Sequence, residues 1–336
     1  MVYKERTRTM PTKRKLMTPQ DVQGAWAIMP TSAKEGAESW RMTDSLDLDA
    51  SVDAINGLID SGIDGILTMG TYGEAATLTL DEKKRFMACL VETVAGRVPC
   101  FVGTTTLNTR DTIELTRYAA DLGADGTMLG LPMWCTPTLP AAVRFYKDVA
   151  EACPDMAQCI YANPEAFRFD FPPPFWAQVA DIPQVVSAKY TAIGQLIQNL
   201  ELTRGKVRAM PIELDYYAGA RIDDDISAFW SSGAVCGPKP TIALRDEVAR
   251  ARETGDWTKA KALTDKMWWA VTPMFPAGGF REFSMYNIAI DKARMQAAGW
   301  MQVGPARPPY DMMPDHIRAG AETAGVRWAE MAKEAV

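Results

Sequence analysis

Three short segments set reactive side chains directly after apolar runs. Lys189 closes the run Val185-Val186-Ser187-Ala188. An amine that ends an apolar strand lies partly out of water, where desolvation disfavours the ammonium form and lowers its pKa. A neutral amine is the nucleophile that Schiff-base chemistry with a carbonyl compound requires. Position alone also suits a lysine whose stem covers apolar surface while its head reaches water. Tyr161 closes a second run, 158–161. A phenol beside a cation ionises more readily and can donate or accept one proton, so Tyr161 is a candidate proton shuttle, with packing as its plainer reading. Asn163, two residues on and therefore on the same strand face, is a candidate polar contact to substrate or attacking water. The third segment is Gly70-Thr71-Tyr72-Gly73-Glu74. Its glycines flank a hydroxyl and a run of backbone N–H groups, which suits a carboxylate ligand. Taken alone, the same turn reads as a tight strand-to-helix connection with Glu74 favourably near a helix start. Trp230 is a candidate pocket wall, and Asn287, which interrupts the apolar run 285–290, a candidate contact at the mouth of the site. Their plainer readings are a packing residue and an ordinary polar helix position.

These side chains need elements that bring them together. From Gly24 onward, short apolar runs alternate with amphipathic stretches at a spacing of roughly 20 to 35 residues, the pattern of strand-helix units in a parallel α/β fold. Strands are predicted at 25–29, 65–69, 99–103, 126–130, 158–161, 185–188, 207–211 and 234–236. Helical patterns lie between them, such as 81–94, with Phe86, Leu90 and Val94 on one face, and 109–122, opened by an Asn108 cap. Eight units predict an α/β fold of the closed (β/α)8 TIM-barrel type. An open doubly wound sheet is the competitor, but its G-x-G-x-x-G signature after the first strand is absent. In a barrel the functional residues belong at the C-terminal ends of the strands, where all three segments fall. After Thr241 the strand signal stops, and helices are predicted at 256–271, 283–298 and 315–335, broken at 273–279 and 304–314. The organisation expected is a basic mobile arm over 1–20, the barrel over 21–252 and a helical C-terminal appendage over 253–336, packed on the barrel or on another subunit.

Composition narrows the chemistry. The 336 residues include 36 Lys plus Arg against 42 Asp plus Glu, a net charge of −6. That balance argues against nucleic acid as a partner, because phosphate-backbone affinity comes from clustered cations. The single histidine, His316, is expected on a surface helix near the C-terminus, so metal or triad chemistry built on imidazole has almost nothing to work with. Cysteines 89, 100, 135, 153, 159 and 236 show no C-x-x-C spacing and are expected as free buried thiols in a reducing cytoplasm. The basic first fifteen residues are followed by no apolar stretch of signal-peptide type, and no apolar run approaches about 20 residues, so no membrane partner is expected.

The segments GTYGEAATLTLDEK (70–83), Tyr161-Ala162-Asn163-Pro164 and AKYT (188–191), in this order and spacing, resemble the class I pyruvate aldolase superfamily of dihydrodipicolinate synthase and N-acetylneuraminate lyase. The resemblance runs in order over most of the chain, and the three motifs together are specific. It implies a (β/α)8 barrel with C-terminal helices, usually a homotetramer, that needs no metal or organic cofactor because a lysine Schiff base carries the reaction. By this resemblance Lys189 forms an iminium with a small-molecule 2-oxo acid, Tyr161 shuttles protons, and Thr71 with Tyr72 engages the carboxylate in the turn bounded by Gly70 and Gly73. Two departures matter. Dihydrodipicolinate synthases resemble GTTGE and carry an arginine five residues after the strand-five tyrosine; here those positions are Tyr72 and Ala166, with Arg168 nearby but out of register. An alanine cannot pair a second substrate's carboxylate as arginine does. The segments after Lys189 and Val207 likewise lack a polyol-binding set of the sialic acid lyase kind.

Trp40, Trp134, Phe167, Phe169 and Trp230 suit an aromatic second substrate, or equally a core or subunit interface. The pattern resembles the hydratase-aldolase branch that acts on trans-o-hydroxybenzylidenepyruvate or carboxybenzylidenepyruvate in bacterial degradation of naphthalene and phenanthrene. The activity so implied is carbon-carbon lyase chemistry: an aryl-substituted 2-oxobut-3-enoate plus water gives an aromatic aldehyde and pyruvate. Another pyruvate-dependent aldolase or dehydratase, such as dihydrodipicolinate synthase, and a non-catalytic 2-oxo acid sensor are the alternatives. The ring substituent and the oligomer interface are left open.

Overall fold

A computed structural model describes residues 15–190 and 193–334. In chain order the elements are β1 (Gly24–Met29), α1 (Leu48–Asp60), β2 (Gly65–Thr68), α2 (Leu80–Val94), β3 (Cys100–Gly103), α3 (Thr109–Leu122), β4 (Gly126–Leu129) and α4 (Leu139–Ala152). There follow β5 (Ala157–Ala162), the short α5 (Pro164–Phe167), α6 (Pro173–Val179), β6 (Val185–Tyr190), α7 (Ile193–Thr203), β7 (Arg208–Met210), α8 (Glu213–Ile222), β8 (Ala228–Ser231) and α9 (Lys239–Thr254). Three helices complete the described residues: α10 (Thr258–Val271), α11 (Gly279–Ala298) and α12 (Asp315–Glu334). The first fourteen residues of the expected N-terminal arm, the Thr191 end of the lysine turn and Ala335 lie outside the described residues.

The eight strands are parallel and neighbours in sequence pair, with β1 also pairing β8 in the register Gly24 to Ala228 and Trp26 to Trp230. The ring closes through the parallel bridge Ile212 to Trp230, where the Trp230 N–H donates to the Pro211 carbonyl at 2.9 Å. The expected TIM barrel is therefore present. Its strands are buried on both faces, which is why they read as continuous apolar runs rather than alternating ones. Helix starts follow local chemistry. Thr79 and Glu82 form a capping box on α2, and Asn108, as expected, caps α3 by accepting the Asp111 N–H at 2.9 Å.

One strand is not where its apolar signal points. Residues 234–236 form a 3-10 turn, and the eighth strand is Ala228–Ser231. The run Ala234-Val235-Cys236 is apolar because α12 covers it: the Trp328 indole donates to the Gly237 carbonyl at 3.0 Å, and a Cβ on Gly233 would come within 2.1 Å of that ring. Trp230 accordingly lies inside β8 rather than ahead of it. The helix expected from 283 begins one turn earlier, with the Gly278 N–H held by the Glu282 carboxylate at 2.8 Å. His316 is exposed on α12, as expected. Cysteines 100, 153, 159 and 236 are buried, but Cys89 is half-buried and Cys135 is exposed at a loop rim, which corrects the expectation of six buried thiols. Among the described residues no helix is long and apolar enough to cross a membrane.

Candidate active site

Residues Tyr161 and Lys189 are Cα partners across β5 and β6, so the strand register projects both side chains from the same end and the same face. Lys189 is buried, with Nζ 4.3 Å from the centre of the Tyr161 ring and 3.4 Å from that of Trp230. Burial lowers its pKa from the usual 10.5; Tyr161, Cys159, Glu213 and Asp291 oppose the shift, in that order. Trp230 is held in place by its indole N–H, which donates to the Tyr190 carbonyl at 2.6 Å. Three strands, β5, β6 and β8, thus build an amine sandwiched by aromatic rings.

The Tyr161 hydroxyl lies between two partners. The Asn163 amide donates to it at 3.2 Å, and Thr71 Oγ1 is 2.8 Å away. Asn163 is fixed by its other amide atom, since Oδ1 accepts the Ala166 N–H at 3.2 Å and so caps α5. Either hydroxyl can donate in the Thr71–Tyr161 bond, so a proton can pass along it in either direction. The turn after β2 needs Gly73 for space, because a Cβ there would stand 2.7 Å from the Met69 nitrogen; one on Gly70 would press on the movable Met128 methyl at 2.9 Å and on the Tyr161 ring at 3.3 Å. Tyr72 is buried, and its hydroxyl donates to the Ile28 carbonyl at 3.2 Å, with burial pushing its pKa well above the usual range. Its phenol is therefore engaged with β1, leaving its backbone to the turn.

The expected aromatic set divides. Trp230 flanks Lys189, and Phe167 packs edge-on against Tyr161 with ring centres 5.1 Å apart. Phe169 belongs to a buried ring cluster with Phe171 and Phe175. Trp40 and Trp134 are exposed, the latter on a cavity of about 360 Å³ between the loops after β3 and β4, whose lining does not include Lys189. Asn287 lies on α11 and donates to Asp291 Oδ2 at 2.5 Å.

Buried charge is the part of the site that periodicity did not reveal. Asp291 is buried and pairs with Arg294 at 2.9 Å; burial raises its pKa against the opposing pull of Arg294 and Lys189. Arg294 donates to the Ser232 carbonyl at 2.9 Å, just past β8. Glu213 accepts the N–H groups of Ser232 and Gly233, the latter at 2.9 Å, and burial raises its pKa. Glu213 follows β7 closely, so the strand-end rule that found Lys189 could have found it too. Glu74 is not at a helix start but buried in ion pairs with Lys292 and Arg307, and burial brings Lys292 down to about 8. No group of three or more His, Cys, Asp or Glu side chains that could hold a metal occurs among the described residues.

Residues 38–322 match the model of the dihydrodipicolinate synthetase family. A trans-O-hydroxybenzylidenepyruvate hydratase-aldolase of Sphingobium xenophagum is 59% identical over 320 residues, 95% of this chain and 98% of that protein. A trans-2'-carboxybenzalpyruvate hydratase-aldolase of a Nocardioides species is 35% identical, covering 93% of this chain and 95% of that one. The solved structure of PhdJ bound to a substrate intermediate superposes with a TM-score of 0.93 at 41% identity, over 96% of this chain and all of that one.

Proposed function

The chain belongs to the dihydrodipicolinate synthetase family, and from that premise we propose that it is a Schiff-base hydratase-aldolase, a carbon-carbon lyase of aromatic-compound degradation. Its substrate is trans-o-hydroxybenzylidenepyruvate, and its products are 2-hydroxybenzaldehyde and pyruvate. The observation that carries this reading is the buried Lys189 amine between Tyr161 and Trp230, beside the Thr71 hydroxyl chain. The ring hydroxyl is favoured over a carboxylate because the 59% relative bears the hydroxy name and the carboxy relative is far more distant.

Lys189 Nζ adds to the ketone carbon, and loss of water gives an iminium conjugated with the alkene. The iminium withdraws electrons from the aryl-bearing carbon, where water adds and loses a proton to leave an enamine. Protonation of the enamine carbon restores the iminium, now with a hydroxyl on the aryl-bearing carbon. Removing that hydroxyl proton breaks the carbon-carbon bond, releases the aldehyde and leaves the pyruvate enamine. Protonation and hydrolysis return pyruvate and the free amine. Tyr161 moves the protons, with Thr71 and Asn163 holding its hydroxyl, while the 70–73 amides and Thr71 fix the carboxylate so that one geometry serves every step. Lysine and tyrosine suffice for this sequence, without metal or organic cofactor. The enzyme works in the cytoplasm as a homotetramer, with Trp230, Phe167 and Asn287 around the aryl end.

Sodium borohydride with pyruvate is the direct test. The expected result is a reduced pyruvate adduct on Lys189; its absence in protein that binds pyruvate sinks the Schiff-base reading. Incubation with 2-hydroxybenzaldehyde and pyruvate should yield the benzylidenepyruvate. Silence there, with turnover of aspartate semialdehyde, would reassign the chain to the lysine-pathway reaction, which the alanine at 166 disfavours. Sedimentation at the single-chain mass of 37.0 kDa would refute the tetramer.

A further inference from the structure

The turn after β2 is gripped from behind by cations that come from outside the barrel. Glu74 is fully buried and stands at φ 59°, in the left-handed region that costs a non-glycine residue energy unless its surroundings hold it there. Its backbone N–H donates to the Thr71 carbonyl at 2.9 Å, so the residue is part of the same turn as Thr71. Its Oε1 accepts the Arg307 backbone N–H at 2.7 Å, and its Oε2 pairs with Lys292 at 2.9 Å and with the Arg307 guanidinium.

Lys292 uses all three of its donors. Besides Glu74 it bonds the carbonyls of Thr31 and Val303, each at 3.0 Å, and the Thr31 hydroxyl in turn donates to the Gly73 carbonyl at 2.9 Å. Arg307 reaches the Ser45 hydroxyl at 2.6 Å and the Ser45 carbonyl at 3.1 Å. The Gly73–Glu74 end of the turn is thereby tied to α11 and to the segment before α12, directly at Glu74 and through Thr31 at Gly73. Holding an appendage on a barrel needs no buried ions, since desolvation offsets much of a buried pair's attraction and apolar packing serves as well. What ions add is direction.

We propose that Glu74, Lys292 and Arg307 form a positioning unit by which the C-terminal region orients the 70–73 amides and Thr71 toward the 2-oxo acid carboxylate, and so sets the affinity for pyruvate. The proposal rests on the hydratase-aldolase reading above. None of the three residues touches the reacting carbons; they act through the turn.

The test is the aldol condensation of pyruvate with 2-hydroxybenzaldehyde, each varied separately, on the full chain. Glu74→Gln keeps the shape and removes the charge. It should raise the pyruvate KM about tenfold or more, with kcat and the aldehyde KM changed by no more than about twofold. Lys292→Met, which leaves the Arg307 pair in place, should give a smaller rise of the same selective kind. A folded variant of either type with an unchanged pyruvate KM, or with both KM values raised together, overturns the proposal. If Glu74→Gln does not fold, Lys292→Met decides alone; if neither folds, the unit is structural and the proposal fails. A wild-type chain that gives no borohydride adduct would sink the parent reading instead, so the two failures are distinguishable.

Discussion

Lys189 is costly to the fold and necessary to the chemistry. Its pKa is lowered on folding, so the unfolded chain binds more protons between the folded value and 10.5. Stability from this group therefore rises with pH through that window and is at its least below it. Lys189→Met, similar in volume, should abolish turnover yet raise the denaturant midpoint at pH 7, with the gain shrinking as pH approaches 10. An equal gain at both pH values would show that burial of the charge is not its source. Tyr161→Phe should lower kcat by roughly 10² to 10⁴, the range for a lost acid-base group, while borohydride still traps a pyruvate adduct slowly. A kcat within threefold of wild type would remove Tyr161 from proton transfer.

Among the elements, the short helix α5 shows how one side chain serves structure and chemistry. Asn163 caps it with Oδ1 and holds Tyr161 with Nδ2. Asn163→Asp keeps a cap acceptor and loses the donor to Tyr161, whereas Asn163→Ala loses both. Both should lower kcat by about tenfold or more, and Ala alone should cost a further 0.5–2 kcal/mol of stability, read by urea unfolding. Equal stability of the two variants would refute the cap. Asn163 was legible because a polar residue stands just past the end of β5, two positions after a tyrosine. The eighth strand was harder. Residues 234–236 and 228–231 are both short apolar runs, and a run that short carries no periodicity to separate a strand from a buried turn.

At the level of the whole molecule, the C-terminal helices complete the barrel rather than decorate it. Trp328 on α12 is fully buried against Gly233 and Gly237, next to the end of β8 that carries Trp230. Trp328→Ala should cost about 3–5 kcal/mol, the range for deleting a buried aromatic ring, and should be visible as a lowered unfolding midpoint. A loss under 1 kcal/mol would mean that α12 is only loosely docked. The barrel, seven of its strands, the ends that bear Lys189, Tyr161 and Thr71, and the resemblance to the family were all present in the sequence, because strand burial, helix periodicity and strand-end chemistry are local patterns. Tertiary structure alone decided that Glu74 meets Lys292 and Arg307, more than 200 positions away, and that the Asp291–Arg294 pair binds the Ser232 carbonyl just past β8. Buried charges are written in a sequence as ordinary polar residues, and only the packing of distant segments reveals that water has been removed from around them.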